Sequence, residues 1–328
     1  MSQPLLRRMR RNRSSHAIRR LVAETSVGRD DLIWPLFHHG GSGAETISSM
    51  PNVFRHDLDG LKKQAQRACD LGIPAIALFP CIETSLKDAT GSHACAESNI
   101  LFRAVREIKK ELPQLLLIAD IALDPYTSHG HDGILNPIGN KILNDQTVEA
   151  LCRLSLAAAN AGADIVAPSD MMDGRIKAIR QTLDAEGHQD VLILSYAAKY
   201  ASAYYGPFRD AVGSKTVDAP LDKSTYQMNP ANVREARLET KLDEEEGADI
   251  LMIKPAGLYL DIIHAVREQT LLPLAAYQVS GEYAQIHAAA KLGWLDYEKT
   301  RNESILAIKR AGADMILTYF APEIAANL

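Results

Sequence analysis

One glycine-centred junction occurs three times in this chain: Ala161-Gly162-Ala163-Asp164, Glu246-Gly247-Ala248-Asp249 and Ala311-Gly312-Ala313-Asp314. Each follows an amphipathic stretch and precedes an apolar run. Glycine closes a helix in the left-handed conformation, so the junction reads as helix, stop, strand. Leu71-Gly72-Ile73-Pro74 has a similar layout. Apolar or β-branched runs recur at 32–37, 75–79, 115–120, 165–169, 192–196, 250–254, 274–278 and 315–319, with helical periodicity between them at 58–71, 99–112, 148–161, 232–246, 260–270 and 284–292. Eight strands alternating with helices predict an α/β fold, a closed parallel (β/α)8 TIM barrel. A doubly wound open sheet is the alternative, but no G-x-G-x-x-G or P-loop follows any run.

The opposite joints are long: 38–57, 121–147 and 197–230 carry no regular pattern. Loops of that length in a compact domain are usually functional, and in a barrel they emerge at the C-terminal face, where active sites sit. The last run is followed only by 321–328, so the closing helix is short or absent, and an extra helix at 297–310 precedes it.

At 328 residues, 46% hydrophobic and 23% charged, the chain has the composition of an ordinary globular protein, not of a disordered one. No stretch approaches the roughly 18 apolar residues that cross a bilayer, which excludes a membrane span. Four cysteines without a CxxC pair argue against a disulfide scaffold and for a reducing, cytoplasmic setting. Charge is uneven. The first 23 residues hold seven arginines and no acid, although the net charge is −5. A transit peptide or a nucleic-acid arm would have this composition, but an acidic body favours an arm lying on a neighbouring subunit. The expected division is an arm over 1–30 and a catalytic barrel over 31–328.

Two lysines stand out. Lys254 ends the run at 250–254, and Lys199 lies three residues beyond the run at 192–196. Neighbouring strands are about 4.8 Å apart, so both amines can share a pocket. Burial and a second ammonium disfavour the charged form, as attack on a carbonyl requires. The segment 120–133 supplies three carboxylates, Asp120, Asp124 and Asp132, with His129 and His131, a set suited to metal binding or acid–base work or simply to an acidic turn. In 197–230, Arg209 and Lys223 sit among aromatics and Gly-Pro, as in a lid over an anionic substrate. Ser280 and Tyr319 put two hydroxyls on the same face.

The chain resembles the porphobilinogen synthase (5-aminolevulinate dehydratase) family. The resemblance rests on 167–175 (APSDMMDGR), 195–202 (SYAAKYAS), 205–211 (YGPFRDA), 252–255 (MIKP) and 279–283 (VSGEY), in that order, and runs from about residue 5 to the end. It implies a lyase that condenses two 5-aminolevulinate molecules to porphobilinogen in tetrapyrrole (heme or chlorophyll) biosynthesis, as a homo-oligomer, expected to be an octamer, held by the N-terminal arm. By the same resemblance Lys254 and Lys199 form Schiff bases with the two substrates. Arg209 and Lys223 hold one substrate carboxylate, and Ser280 and Tyr319 the other. Zinc-dependent members place three cysteines where this chain has Ala122, Asp124 and Asp132. Thiolates select zinc and carboxylates do not, so no catalytic Zn2+ is expected, and Asp124 and Asp132 are expected to assist catalysis directly. Glu239 matches the family position for an allosteric magnesium ion (Mg2+). Two rivals remain at this point: a class I aldolase-like Schiff-base lyase using Lys254 alone, and a nucleic-acid binder reading through the arginine arm. Clustering of basic residues is confined to that arm, so neither a nucleic-acid nor a membrane partner is expected.

Overall fold

A computed structural model describes residues 5–214 and 221–328. The first four residues of the expected arm and 215–220 of the long fifth loop lie outside the described residues. Eight parallel strands form the barrel: β1 (Leu32–His39), β2 (Ala75–Cys81), β3 (Leu116–Ile121), β4 (Ile165–Pro168), β5 (Leu192–Lys199), β6 (Ile250–Lys254), β7 (Leu274–Tyr277) and β8 (Met315–Leu317). Each pairs with the next, and β8 closes on β1 with Leu32 opposite Ile316 and Ile33 opposite Leu317. The helices outside it are α1 (Leu58–Asp70), α2 (Ile100–Glu111), α3 (Asn144–Ala161), α4 (Arg175–Ala185), α5 (Arg234–Glu245), α6 (Leu260–Arg267), α7 (Ser280–Lys291) and α8 (Tyr297–Ala311). The strands are apolar on both faces because one side fills the barrel and the other meets the helices. All eight residues of β1 are buried.

The repeated junction does more than stop helices. Gly162, Gly247 and Gly312 adopt φ of 102°, 102° and 122°, a region that favours glycine. The aspartate two residues on then joins the neighbouring strand from both its backbone and its side chain. Asp164 donates its N–H to the Leu117 carbonyl (3.1 Å) and accepts the Leu117 N–H at Oδ2 (2.7 Å). Asp249 does the same with Ile193 (3.0 and 2.7 Å), and Asp314 with Leu274 (2.7 and 2.8 Å). Each thus satisfies a strand N–H at the bottom of the barrel, where the ladder would otherwise leave a donor open.

Three features differ from the sequence reading. Strand β5 continues to Lys199 instead of stopping at 196, with a register shift between Ser195 and Ala198. The first loop, expected to be irregular, contains an antiparallel pair, Ala44–Thr46 with Phe54–His56, that extends the sheet beside β1. Strand β8 ends at Leu317, so Tyr319 stands in the turn beyond it, before a short closing helix, Ala321–Ala325. The fifth loop carries a helical turn, Gly206–Ala211. Within the expected arm, residues 9–13 and 16–21 form short helical turns with no buried residue. The arm's end is tied down where the Arg29 Nε donates to the Ala325 carbonyl (3.1 Å).

Candidate active site

The two lysines face each other in register across β5 and β6. The bulge at Ser195–Ala198 turns the end of β5, and both side chains are buried at the C-terminal mouth of the barrel. Their surroundings differ. Lys199 Nζ donates to the Ser169 carbonyl and lies 3.3 Å from Asp132 Oδ1. The other Asp132 oxygen lies 3.2 Å from Lys223 Nζ, so one carboxylate bridges a residue of β5 and one of the fifth loop. Burial alone would raise the Asp132 carboxyl, but Lys199 and Lys223 outweigh it and hold it below the usual carboxylate range.

Lys254 has no such acceptor. Its Nζ sits over four rings, Tyr277 at 4.5 Å, Phe208 at 4.8 Å, Tyr196 at 4.9 Å and Tyr205 at 5.3 Å from the centroids. Ring faces favour a cation. Here burial, with the Lys199 ammonium, wins and pulls the Lys254 amine down to about 7. Asp120, at the end of β3, is pushed up to about 7 by burial and by Asp124 beside it, and its Oδ1 has no hydrogen-bond partner. Asp124 is raised by burial and by Asp132. The site thus holds an amine at about 7, one carboxyl at about 7, a second one raised beside it, and one carboxylate held below the usual range.

The cleft between them is lined by Asp120, Asp124, Asp132, Lys199, Arg209, Lys223 and Lys254, with Ser169, Tyr205, Phe208 and Gln227. Lys199, Lys254, Asp124, Asp132, Arg209 and Lys223 therefore come together as the sequence reading expected. Its volume is about 20 Å³. Ser280 and Tyr319 are close by but turned to protein partners: Ser280 Oγ accepts the Phe208 N–H (2.9 Å), and the Tyr319 hydroxyl meets that of Tyr277 (2.9 Å). Neither lines the cleft, whereas Phe208 does. Its ring packs edge-on against Phe79 at 5.3 Å and against Phe37 at 5.6 Å.

Glu239 stands elsewhere, on α5. It is half-buried and lines a separate cavity with Glu235, Asp173 and Asn144. Burial, and next the Asp243 carboxylate, raise its carboxyl. Among the described residues no group of three or more His, Cys, Asp or Glu side chains is arranged to hold a metal ion.

Sequence reasoning placed Tyr205 and Phe208 in a lid but missed Tyr196, within β5, and Tyr277, at the end of β7, as rings around Lys254. It missed Tyr226, whose hydroxyl accepts the Asp132 N–H (3.3 Å) and lies 3.1 Å from His131 Nδ1. It also missed Arg175, 2% exposed, which pairs with Asp243 (3.2 Å) and donates to the Tyr196 carbonyl (3.2 Å) within the bulge.

Comparison with known proteins agrees with this arrangement. Residues 6–327 match the family model "ALAD: Delta-aminolevulinic acid dehydratase". Delta-aminolevulinic acid dehydratase of Chlamydia pneumoniae is 56% identical over 324 residues, 98% of this chain and 96% of that protein. The Bradyrhizobium diazoefficiens enzyme is 54% identical over 323 residues, 98% of this chain and 90% of that protein. A crystal structure of the Toxoplasma gondii enzyme (porphobilinogen synthase), in complex with the reaction product porphobilinogen, superimposes with a TM-score of 0.97 at 46% identity, covering 100% of this chain and 93% of that one. With the fold, the paired lysines and the whole-length match in agreement, this chain belongs to the delta-aminolevulinic acid dehydratase family.

Proposed function

We propose that the protein is a porphobilinogen synthase: a lyase that condenses two molecules of 5-aminolevulinate to porphobilinogen with loss of two waters. The observation that carries the reading is the in-register pair Lys199 and Lys254, both buried at the barrel mouth and flanked by three carboxyl groups. Each amine adds to the ketone of one substrate and releases water as an imine. On the Lys199 side, the imine draws electrons from the neighbouring carbon, and Asp132, 3.3 Å from Nζ, is the base assigned to take that proton. The resulting enamine carbon attacks the imine carbon on Lys254, forming the carbon–carbon bond and leaving Lys254 held by a C–N single bond; loss of a proton from the attacking carbon then forms C=C and expels Lys254 as an amine. The free amino group of the substrate on the Lys254 side then displaces Lys199 and closes the ring. Asp120, pushed up to about 7, holds a proton near neutrality and supplies it to departing groups, and burial with Asp132 raises Asp124 beside it. Arg209 and Lys223 line the cleft as cations for a substrate carboxylate, and Ser280 with Tyr319 serve the other carboxylate once Phe208 moves aside.

The metal reading is separate. Asp124 and Asp132 offer hard oxygens with lysines beside them, a poor setting for zinc and one in which the amines already balance the charge. At Glu239, burial and next the Asp243 carboxylate raise the carboxyl. Glu239 alone is the carboxylate assigned to an Mg2+ ion that keeps most of its waters, and there it would act allosterically, away from the lysines. The exposed arm, with its seven arginines, supports assembly into a homo-oligomer, read as an octamer, by lying on the acidic body of another copy. No helix among the described residues is long and apolar enough to cross a membrane. The four free cysteines support a cytoplasmic setting.

The test is porphobilinogen formation from 5-aminolevulinate by protein stripped with a strong chelator and then given magnesium or zinc. Product in chelator, increased by magnesium and not by zinc, is expected. Restoration only by zinc would overturn the metal reading. Absence of product under every condition would overturn the synthase reading. Persistence of imine chemistry and turnover in Lys199→Ala would favour an aldolase-like enzyme using Lys254 alone.

A further inference from the structure

Glu282 is a carboxylate 3% exposed whose partners are backbone N–H groups, from two separate segments. Oε2 accepts from Val279 (2.7 Å) and at longer range from Ala256 (3.4 Å), and Oε1 accepts from Gly257 (2.5 Å). Val279 caps α7, whose first residue is Ser280. Ala256 and Gly257 follow Lys254 by two and three positions. One carboxylate therefore ties the loop behind an imine-forming amine to the turn that presents Ser280.

A helix cap needs only the Val279 contact. The second reach calls for its own explanation, and the chain is shaped around it. A Cβ at Gly257 would lie 2.6 Å from Glu282 Oε1, so the loop approaches as closely as glycine permits. The adjacent Gly281 is equally tight: a Cβ there would lie 2.6 Å from the Tyr204 carbonyl oxygen. The first turn of α7 is thus wedged between the Lys254 loop and the segment that carries Phe208 and Arg209. Its position along that line fixes how far Ser280 stands from the amine.

We infer that Glu282 is a positioning residue that sets the spacing between the Lys254 amine and the Ser280–Tyr319 hydroxyl pair, making the Lys254 half-site selective for a ketone two methylenes from a carboxylate. The inference rests on the reading of Lys254, Ser280 and Tyr319 given above. A group gripped at both ends is discriminated by length. One methylene in a fitted pocket is worth about tenfold to a few hundredfold.

The experiment traps imines on Lys254 with cyanoborohydride. The amine and ketone lose water to form C=N, and hydride from the reagent reduces it to a stable secondary amine that peptide mass analysis locates. Three ketones are compared: 4-oxopentanoate, the longer 5-oxohexanoate, and acetone, which has no carboxylate. The wild type is expected to prefer 4-oxopentanoate over 5-oxohexanoate by about tenfold or more. Glu282→Asp keeps a carboxylate for Val279 within its own turn but withdraws it from Gly257. It is expected to lose most of that preference while acetone trapping stays within about twofold of wild type. Gly257→Ala strains the same contact from the other side and is expected to give the same loss, so it decides the matter if Glu282→Asp fails to fold. Retention of the length preference in both variants would overturn the inference, and so would acetone trapping that falls in parallel, since that marks support of the lysine alone. Failure of wild-type Lys254 to form any adduct would instead overturn the functional reading beneath it.

Discussion

Burial, more than the second amine, keeps Lys254 reactive. Its amine stands near 7, against an ordinary value of 10.5. At pH 7 about half of it is neutral, whereas an ordinary lysine is neutral in only about one molecule in 3,000, a gain of about a thousandfold in nucleophile. Burial is the larger cause and Lys199 the second. Replacing Lys199 with methionine removes the like charge but not the rings. The same change leaves Asp132 with Lys223 as its remaining cation, which adds negative potential and moves Lys254 the same way. The pH at which Lys254 becomes half-reactive should therefore rise in Lys199→Met, by about one unit on the scale of a single near charge, and remain well short of 10.5. The assay is the rate of cyanoborohydride-trapped 4-oxopentanoate adduct at Lys254 as a function of pH, in wild type and variant. The wild-type midpoint should lie near 7. A variant midpoint in the range of a free lysine would mean that Lys199 carries the effect and burial does not. No movement at all would mean that the two amines do not interact.

Other substitutions read different parts of the structure. Asp120 is pushed up to about 7 from an ordinary value of 3.8, so the folded chain keeps a proton there that the unfolded chain loses. Its stabilising contribution is present at low pH and fades as pH rises from about 4 through 7, by up to about 4 kcal/mol. Asp120→Asn should therefore raise Tm relative to wild type more at pH 8 than at pH 4, and thermal melts showing the opposite trend would refute the assignment. Asp243→Asn leaves Arg175, 2% exposed, with Asp170 at 3.6 Å as its remaining carboxylate. A cost of about 3–5 kcal/mol is expected in urea denaturation, and a change under 1 kcal/mol would show that Asp170 suffices. Asp314→Ala removes the acceptor for Leu274 N–H and an ion pair with Arg267 that is half open to solvent. The pair itself counts for little, so the expected loss is about 1 kcal/mol with kcat unchanged, because the site is at the far end of the barrel.

The fold was legible because its signal is local and repeated. Apolar runs and glycine stops recur eight and three times along the chain, and each needs only its own neighbours to be read. The one strand end that mattered most escaped: Ala197-Ala198-Lys199 carries no β-branched residue, and only the ladder with β6 extends β5 over it. The candidate site residues were legible as lysines at strand ends and acids in one loop. Their division of labour was not. That Asp132 reaches Lys223 across 91 positions, or that Arg175 reaches Asp243 across 68, depends on closure of the barrel, which no local pattern encodes. The aspartates of the Gly-Ala-Asp junctions carry no local signal of a bonding role. Their bonding to the next strand appears only when the strands are side by side.

The cleft geometry links binding to the movement of one side chain. Its volume of about 20 Å³ is room for roughly one water, so two 5-aminolevulinate molecules do not fit the arrangement described here. The Lys254 side is filled by Phe208, whose ring lies over the amine and whose N–H occupies Ser280 Oγ. Opening that side therefore does two things at once: it clears the space beside the nucleophile, and it releases the hydroxyl assigned to the substrate carboxylate. The Lys199 side is different. There the amine is engaged by Asp132 and the Ser169 carbonyl, and Asp132 is shared with Lys223 on the same fifth loop that carries Phe208. A displacement of that loop alters the surroundings of both lysines, through a ring on one side and a carboxylate on the other. Loading of the two half-sites is thereby linked through Phe208 and Lys223, although the strands that bear the lysines need not move.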